Sequence, residues 1–412
     1  MNILFMHQNF PAQFKHLAPA LVARGHQVVA MPRGPVKESY WQGVKLVPYH
    51  LSRGNAADIH PWLLNLETKV LRAEACFYQA LQLKEQGFNP DIILAHPSWG
   101  ESLFVKDVWP HAKLGIYCEF YNQLEGGDVN FDPEFPLDDI GEPCRIRLKN
   151  ATYLVQFESA DAALSPTRWQ ANTYPVHLRD QISVIHDGID TERVQPNPHV
   201  QIRLDAELLL NRDHEVITFV NRDLEPYRGY HRFMRALPDL LKRRPHATVL
   251  IVGSNGVSYG ARPPQGHTWK DIFIQEVRPQ ISDSDWQRVH FLGHLPYEYF
   301  LAVLQLSSVH VYLTYPFVLS WSLLEAMSSG CAIVASDTAP VREVIQHGDN
   351  GLLVDFFAAA ALSQAISDLL DNPAERARLG ANARAFIQQH YDLQTVCLPQ
   401  QLQWVDKLAN GS

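Results

Sequence analysis

Short apolar runs alternating with helical stretches, twice over, constrain this chain more than any other feature. In the first half the runs are 2–6, 27–31, 91–95, 114–117, 162–164 and 182–185. In the second they are 215–220, 247–252, 289–292, 309–313, 332–335 and 352–354. A strand that is apolar at nearly every position is covered on both faces, and the intervening helices are the covers. The pattern therefore predicts an α/β chain of two doubly wound, parallel-sheet domains. Helices are expected near 62–86, 229–243, 268–279, 296–306, 319–329, 340–347, 357–370, 373–389 and 394–409. Pro19 should kink or break the helical stretch that follows the first run. Residues 192–199 (ERVQPNPH) are polar and carry two prolines, which reads as a linker. The expected division is a first domain over 1–192, a linker over 193–212, a second domain over 213–390 and a closing helical segment over 391–412.

Composition narrows the function. The chain has 412 residues, 46% hydrophobic and 19% charged, which is long enough for two cores and too apolar for disorder. Net charge is −9 and neither half is basic, which argues against a nucleic-acid partner. The five cysteines lie far apart, with no CxxC or Cys/His spacing, so reduced thiols and no metal cluster are expected. No apolar run is long enough to span a bilayer, and the start Met1-Asn2-Ile3-Leu4-Phe5 has no basic leader pattern. A cytoplasmic location follows as an expectation, with peripheral contact at the inner membrane face left open.

There is no GxGxxG after the first run and no GxxxxGK[ST], so neither an ordinary NAD site nor a P-loop is expected. Two other segments carry charged residues in informative places. In Tyr315–Pro340, Glu325 sits in an otherwise apolar or small-residue helix and needs a partner: a buried Arg or a ligand's hydroxyl pair. The helix start near Leu319–Ser322 offers backbone N–H groups suited to phosphate. The second segment is Asn221–Gly229 (NRDLEPYRG), where Arg222 and Arg228 flank a turn between a strand and a helix. Two guanidinium groups there suit a diphosphate; the alternative is that they pair with Asp223 and Glu225. A third segment, Glu125–Glu142, holds seven acids and no Lys or Arg, and reads as a solvated loop or one that faces an acceptor. Its spacing matches no metal-ligand pattern. His7, His96 and His186 each follow a predicted strand, and Trp99 and Trp321 are aromatic faces that suit sugar C–H groups.

These residues resemble the retaining glycosyltransferases of family 4, whose fold is called GT-B: two Rossmann-like domains facing across a cleft. The family's GRLxxxKG is similar to NRDLEPYRG, and its ESFGLxxLEAMAxGxPVIA to Phe317–Ala335. Phe291-Leu292-Gly293 resembles its FxG strand end, and Val184–Asp190 its VIPNGVD turn. The opening HQNFPAQFKHLAPALVARGH is similar to a bacterial subgroup with its own type of first domain.

The resemblance implies a nucleotide-sugar donor, UDP- or GDP-linked, and transfer to an acceptor hydroxyl with retention, in polysaccharide or glycoconjugate synthesis. The acceptor is a saccharide, a lipid-linked saccharide or a small molecule. Arg222 and Arg228 would bind the diphosphate, and Glu325 the ribose. Leu319, Ser320, Trp321 and Ser322 would cover phosphates and sugar, Leu292 and Gly293 would lie near the base, and Asn9 and Phe10 would face the phosphates. No cofactor or metal is expected, and segment 391–412 would cross back towards the first domain. Two positions depart from the family. Phe317 stands where the first acid of the paired-Glu motif belongs. The polar residue usual near the anomeric centre is a His in the family, and Glu119 is the candidate here. The competing reading is a sugar-nucleotide-binding or scaffold protein on the same fold with impaired catalysis.

Overall fold

A computed structural model describes residues 1–137, 139–204, 206 and 208–411. The chain divides into two compact units. Unit 1 comprises 1–130, 136–188 and 393–412, and unit 2 comprises 131–135 and 189–392.

Unit 1 is built on eight strands: β1 (Asn2–Met6), β2 (Gln27–Met31), β3 (Tyr40–Trp41), β4 (Val44–Leu46), β5 (Ile92–Ala95), β6 (Lys113–Tyr117), β7 (Ala162–Ser165) and β8 (Ile182–Val184). Their order is β3-β4-β2-β1-β5-β6-β7-β8, all parallel except the β3–β4 pair. The first strand is central because its side chains are apolar on both faces. Leu4 and Met6 enter one core with Ile93 and Leu114, while Ile3 and Phe5 enter another with Phe14 and Leu94. The helix Leu17–Ala23 begins late enough to place Pro19 in its first turn. The break expected there falls just before Pro19, between a short 3-10 turn over Ala12–Phe14 and this helix, and Pro19 is tolerated because a first-turn N–H has no intrahelical acceptor to lose.

The C-terminal helix Leu398–Asn410 belongs to unit 1 and buries Leu402, Trp404, Val405 and Leu408 against the second core. Gly115 in β6 makes room for it: a Cβ there would stand 2.5 Å from the Trp404 ring. Gln401 also donates to the backbone oxygen of His186 at 3.0 Å.

Unit 2 has a short hairpin, β9 (Ile202–Arg203) with β10 (Leu209–Leu210), inside the segment expected to be a bare linker. Of that linker, Asp205 and Glu207 lie outside the described residues, as does Asp138 of the acidic segment. The main sheet comprises β11 (Val216–Asp223), β12 (Thr248–Ser254), β13 (Val289–Gly293), β14 (Val309–Tyr312), β15 (Ile333–Ser336) and β16 (Leu352–Val354). It is wholly parallel in the order β13-β12-β11-β14-β15-β16. Each sheet reverses its direction of growth once, at β1/β5 in unit 1 and at β11/β14 in unit 2. Open α/β sheets bind ligands at the carboxyl ends of such strands. The segments to inspect are thus those after β1 and β5, and after β11 and β14. No helix among the described residues is long and apolar enough to cross a membrane.

Burial holds several histidines neutral. It lowers the pKa of His186 and His310 from 6.5 to about 3, and that of His7 to about 4. In the unfolded chain these rings take up protons below pH 6.5, and in the folded chain they do not. Their contribution to stability is therefore complete above 6.5 and is lost as pH falls below it. Each should cost about 2 kcal/mol between pH 6.5 and 5. Chemical denaturation across that range should show a steep loss of stability; a flat profile would contradict the neutral burial of these rings.

Candidate functional site

In unit 2 the site grows from the end of β11. The strand runs further than expected, through Asn221, Arg222 and Asp223, with Asp223 in register with Ser254. Arg222 is consequently a strand residue, and it is exposed. The chain then makes a short turn, Pro226–Arg228, and starts the helix Tyr230–Arg243 after Gly229. Gly229 has φ 71° and lies so close to β14 that a Cβ would stand 2.3 Å from the Leu313 Cβ. No other residue fits both conditions.

That turn buries Arg228, which is 6% exposed. Its Nη1 donates to the Thr314 hydroxyl at 2.7 Å and the Val318 carbonyl at 3.3 Å. Its guanidinium lies 5.2 Å from the Tyr259 ring centre and 5.8 Å from that of Phe317. Among the described residues Arg228 has neutral and aromatic hydrogen-bond and ring partners and no direct ion pair, and the buried Glu225 carboxylate is the acid that feels its charge. The pairing of Arg222 and Arg228 with Asp223 and Glu225, weighed from sequence, does not occur. Both acids hold the loop after β12 instead. Asp223 accepts from the Gly256 N–H at 3.1 Å and from the Ser258 hydroxyl. Glu225 is buried and accepts the N–H groups of Ser258, Tyr259 and Gly260 at 3.2, 3.2 and 3.0 Å. Burial raises its pKa, and these three donors and the Arg228 charge work against that rise. Gly256 admits the Asp223 carboxylate, whose Oδ1 would stand 2.6 Å from a Cβ.

The segment after β14 forms the other wall. Phe317 packs 5.2 Å from Tyr227 and 5.0 Å from Tyr259, so an aromatic cluster occupies the place of a carboxylate. Leu319 is buried. Ser320 caps the helix Trp321–Ser328 through Ser322 N–H, and its own N–H donates to the Tyr312 hydroxyl at 3.1 Å. Two of the N–H groups expected to await phosphate are therefore taken within the fold. Glu325 is buried as expected, and its partner is Tyr297, whose hydroxyl donates to Oε1 at 2.7 Å. Leu292 and Gly293 end β13, the edge strand, two places from β11, and no recorded hydrogen bond or ring contact joins them to Arg228.

In unit 1 the segments after β1, β5 and β6 bring His7, His96 and Glu119 together. Glu119 Oε1 accepts from Gln13 Nε2 at 2.9 Å, and Oε2 lies 3.6 Å from His96 Nε2. The Glu119 backbone oxygen accepts from Gln170 at 2.7 Å. His96 is fully buried between Trp99 (4.4 Å) and Tyr117 (5.3 Å), with His7 5.1 Å away. Burial and the neighbouring His7 hold its pKa well below the usual value. Trp99 is thus a packing residue, and Glu119, 29% exposed at its side chain, is the member of the group open to solvent. Asn9 donates its N–H to His7 Nδ1 at 2.9 Å, while the Phe10 ring packs 5.5 Å from Trp41. His186 stands apart from this group and accepts from the Gly188 N–H at 3.0 Å.

Sequence reasoning named Glu225 only as a possible Arg partner and missed Tyr259, Thr314 and Tyr297. Only Glu225 had a visible signal, an acid before Pro226 together with glycines at 256 and 260. Among the described residues one trio, Asp132, Glu134 and His231, is close enough to share a cation. Arg232 and Arg235 already pair with its two acids, which supplies the charge a metal would bring. Replacing Glu225 by Ala should strand three N–H groups and cost about 1–3 kcal/mol in urea denaturation; an unchanged midpoint would show that the loop holds itself.

Comparison with known proteins agrees with this geometry. The family model described as glycosyl transferase family 4 group matches residues 24–194, and that described as glycosyl transferases group 1 matches 200–386. Glycogen synthase of Mycobacterium tuberculosis is 24% identical, covering 92% of this chain and 87% of that one. D-inositol 3-phosphate glycosyltransferase of Nocardia farcinica is 30% identical over 50% of this chain and 44% of its own length. Among solved structures, sucrose-phosphate synthase from Thermosynechococcus elongatus has a TM-score of 0.73 at 18% identity, with both chains covered in full. Anabaena HepE in complex with UDP and glucose has a TM-score of 0.65 at 16% identity, covering 99% of this chain and 100% of that one. With both halves matched in order and two parallel α/β units in place, the chain belongs to the family 4 glycosyltransferases of GT-B fold and is an enzyme of the hexosyltransferase type.

Proposed function

We propose that this enzyme transfers a hexose from a UDP-sugar to a saccharide hydroxyl with retention of anomeric configuration. The observation that carries the reading is Arg228, a buried cation with neutral partners at the carboxyl end of the strand beside the switch point. A buried guanidinium with no directly paired carboxylate is costly, and a ligand diphosphate supplies such a partner. UDP is favoured because HepE and a trehalose-6-phosphate protein from E. coli resemble this fold in complexes with UDP or a UDP-sugar. The saccharide acceptor is favoured by the likeness to glycogen synthase.

In this reading Arg228, with the exposed Arg222, holds the diphosphate and stabilises the charge on the departing phosphate. Glu325, oriented by Tyr297, receives the ribose hydroxyls. The sugar–phosphate bond breaks as the acceptor oxygen bonds to the same face of the anomeric carbon. The acceptor proton passes to the departing phosphate oxygen, so no carboxylate nucleophile is required. Glu119, held by Gln13 beside His96, binds an acceptor or sugar hydroxyl. The two Arg side chains take the diphosphate charge, so transfer proceeds without added metal.

Turnover of UDP-glucose with glucan and small-saccharide acceptors, in the presence of EDTA, tests the reading. The product should be the α-anomer by NMR, and Arg228→Ala should lower kcat/KM by about 100-fold or more, as loss of a charge-stabilising donor does. UDP binding without turnover over the whole acceptor panel would favour the impaired binding protein instead. Phe317 is the feature that reading rests on.

A further inference from the structure

The acidic segment that stood out in the sequence contains a strap. The chain leaves unit 1 after Asn130, contributes Phe131–Phe135 (FDPEF) to unit 2, and rejoins unit 1 at Pro136. Both acids in the strap meet the helix that follows Gly229. Asp132 is buried, with Oδ2 2.8 Å from His231 Nε2 and Oδ1 accepting from Arg232 Nη2 at 3.0 Å. Glu134 accepts two hydrogen bonds from Arg235, at 2.5 and 2.6 Å. Burial opposes the ionisation of Asp132, yet His231, the Glu134 N–H and Arg232 outweigh it and hold the carboxyl below its usual range.

The two ends of the strap lead in different directions. Phe135 lies edge-on to His231 and Trp269, each 5.3 Å away, and Glu134 shares Arg235 with Glu276. The Glu134 contacts with Arg235 and, at 3.6 Å, Arg232 lie further along the helix from Arg228, while Phe135 meets the same His231 ring that Asp132 holds. Phe131 lies 5.1 Å from Tyr315 and 5.3 Å from both Phe356 and Phe357. Tyr315 is fixed to Tyr227 by an N–H to carbonyl bond of 3.0 Å and by rings 4.8 Å apart. Tyr227 abuts Phe317, and Phe317 faces the Arg228 guanidinium. Asp132 meanwhile grips His231, three residues after Arg228. One half of the strap therefore holds both walls of the Arg228 cage: the start of the helix and the segment before Phe317. A strap that only covered apolar surface would need no buried carboxylate, because an ionised side chain is costly there unless it fixes a partner.

The geometry points to Phe131 and Asp132 as positioning residues for the Arg228 site, setting the aromatic cage in which the guanidinium meets a nucleoside diphosphate. They act through Tyr315, Tyr227 and His231 and touch no ligand themselves. The inference rests on the reading of Arg228 as the diphosphate group.

The test uses the full chain, with calorimetric UDP affinity, donor and acceptor kinetics and melting temperature measured for each variant. Phe131→Ala and Asp132→Asn should weaken UDP binding by about tenfold and raise the donor KM in parallel, a size usual for residues coupled to a site through packed neighbours. The acceptor KM should stay as it is. Glu134→Gln, in the other half of the strap, should lower the melting temperature but leave UDP affinity within about twofold. Phe131→Tyr, which keeps the ring, should behave as the native protein; with Asp132→Asn it provides the comparison should Phe131→Ala not fold. If Phe131→Ala and Asp132→Asn lose only melting temperature, as Glu134→Gln does, the positioning role is overturned while the donor-site reading stands. If the native protein binds no UDP, the donor-site reading falls and takes this inference with it.

Discussion

A buried cation with no directly paired carboxylate organises unit 2. Arg228 is held by two hydroxyls, a carbonyl and two aromatic faces, and the buried Glu225 carboxylate feels its charge without forming an ion pair with it. The nearby acids are committed elsewhere. Asp223 and Glu225 fix the Gly256–Gly260 loop, and Glu325 is tied to Tyr297. With those carboxylates hydrogen-bonded elsewhere and none directly paired with the guanidinium, its charge is available for an anion, at the cost of desolvating it. The net charge of −9 gives this local arrangement its significance, because the global field repels an anionic donor.

The sheets put that cation where it is. In a doubly wound sheet, connections leave in opposite directions on either side of the switch point, and a crevice opens at the strand ends there. The turn after β11 carries Arg228, and the segment after β14 carries Thr314, Phe317 and the helix with Glu325. In unit 1 the corresponding segments after β1 and β5 carry His7, Gln13 and His96, and β6 adds Glu119. The same architecture thus gathers a cationic group in one unit and a neutral-imidazole and carboxylate group in the other. Different side chains at equivalent strand ends give the two units different chemistry.

Most of this order was legible in the chain, for definite reasons. Strands buried on both faces declare themselves as apolar runs, so β1, β5, β12 and β15 were readable. The two-residue strands β3, β9 and β10 were not, because a pair of residues carries no periodicity. Glu325 was readable as a charge where charge is costly, and Arg228 as one of two guanidinium groups flanking a turn between a strand and a helix. The partners that define their surroundings, Tyr259, Thr314 and Tyr297, are ordinary residues brought close only by folding. The acidic segment was read as a loop, solvated or facing an acceptor. Five of its residues in fact belong to unit 2, where Phe131, Asp132, Glu134 and Phe135 meet His231, Arg232, Arg235, Tyr315 and Trp269. That match is between distant parts of the chain, and no local pattern reveals it.

The central claim is that Arg228 is a diphosphate group. Titration of UDP and of UMP into the native protein and into Arg228→Gln tests it most directly, since the two ligands differ by one phosphate. The native protein should bind UDP more tightly than UMP, and most of that preference should vanish in the variant. An equal preference in both proteins would show that the buried guanidinium is a structural cation and that the donor's charge is met elsewhere.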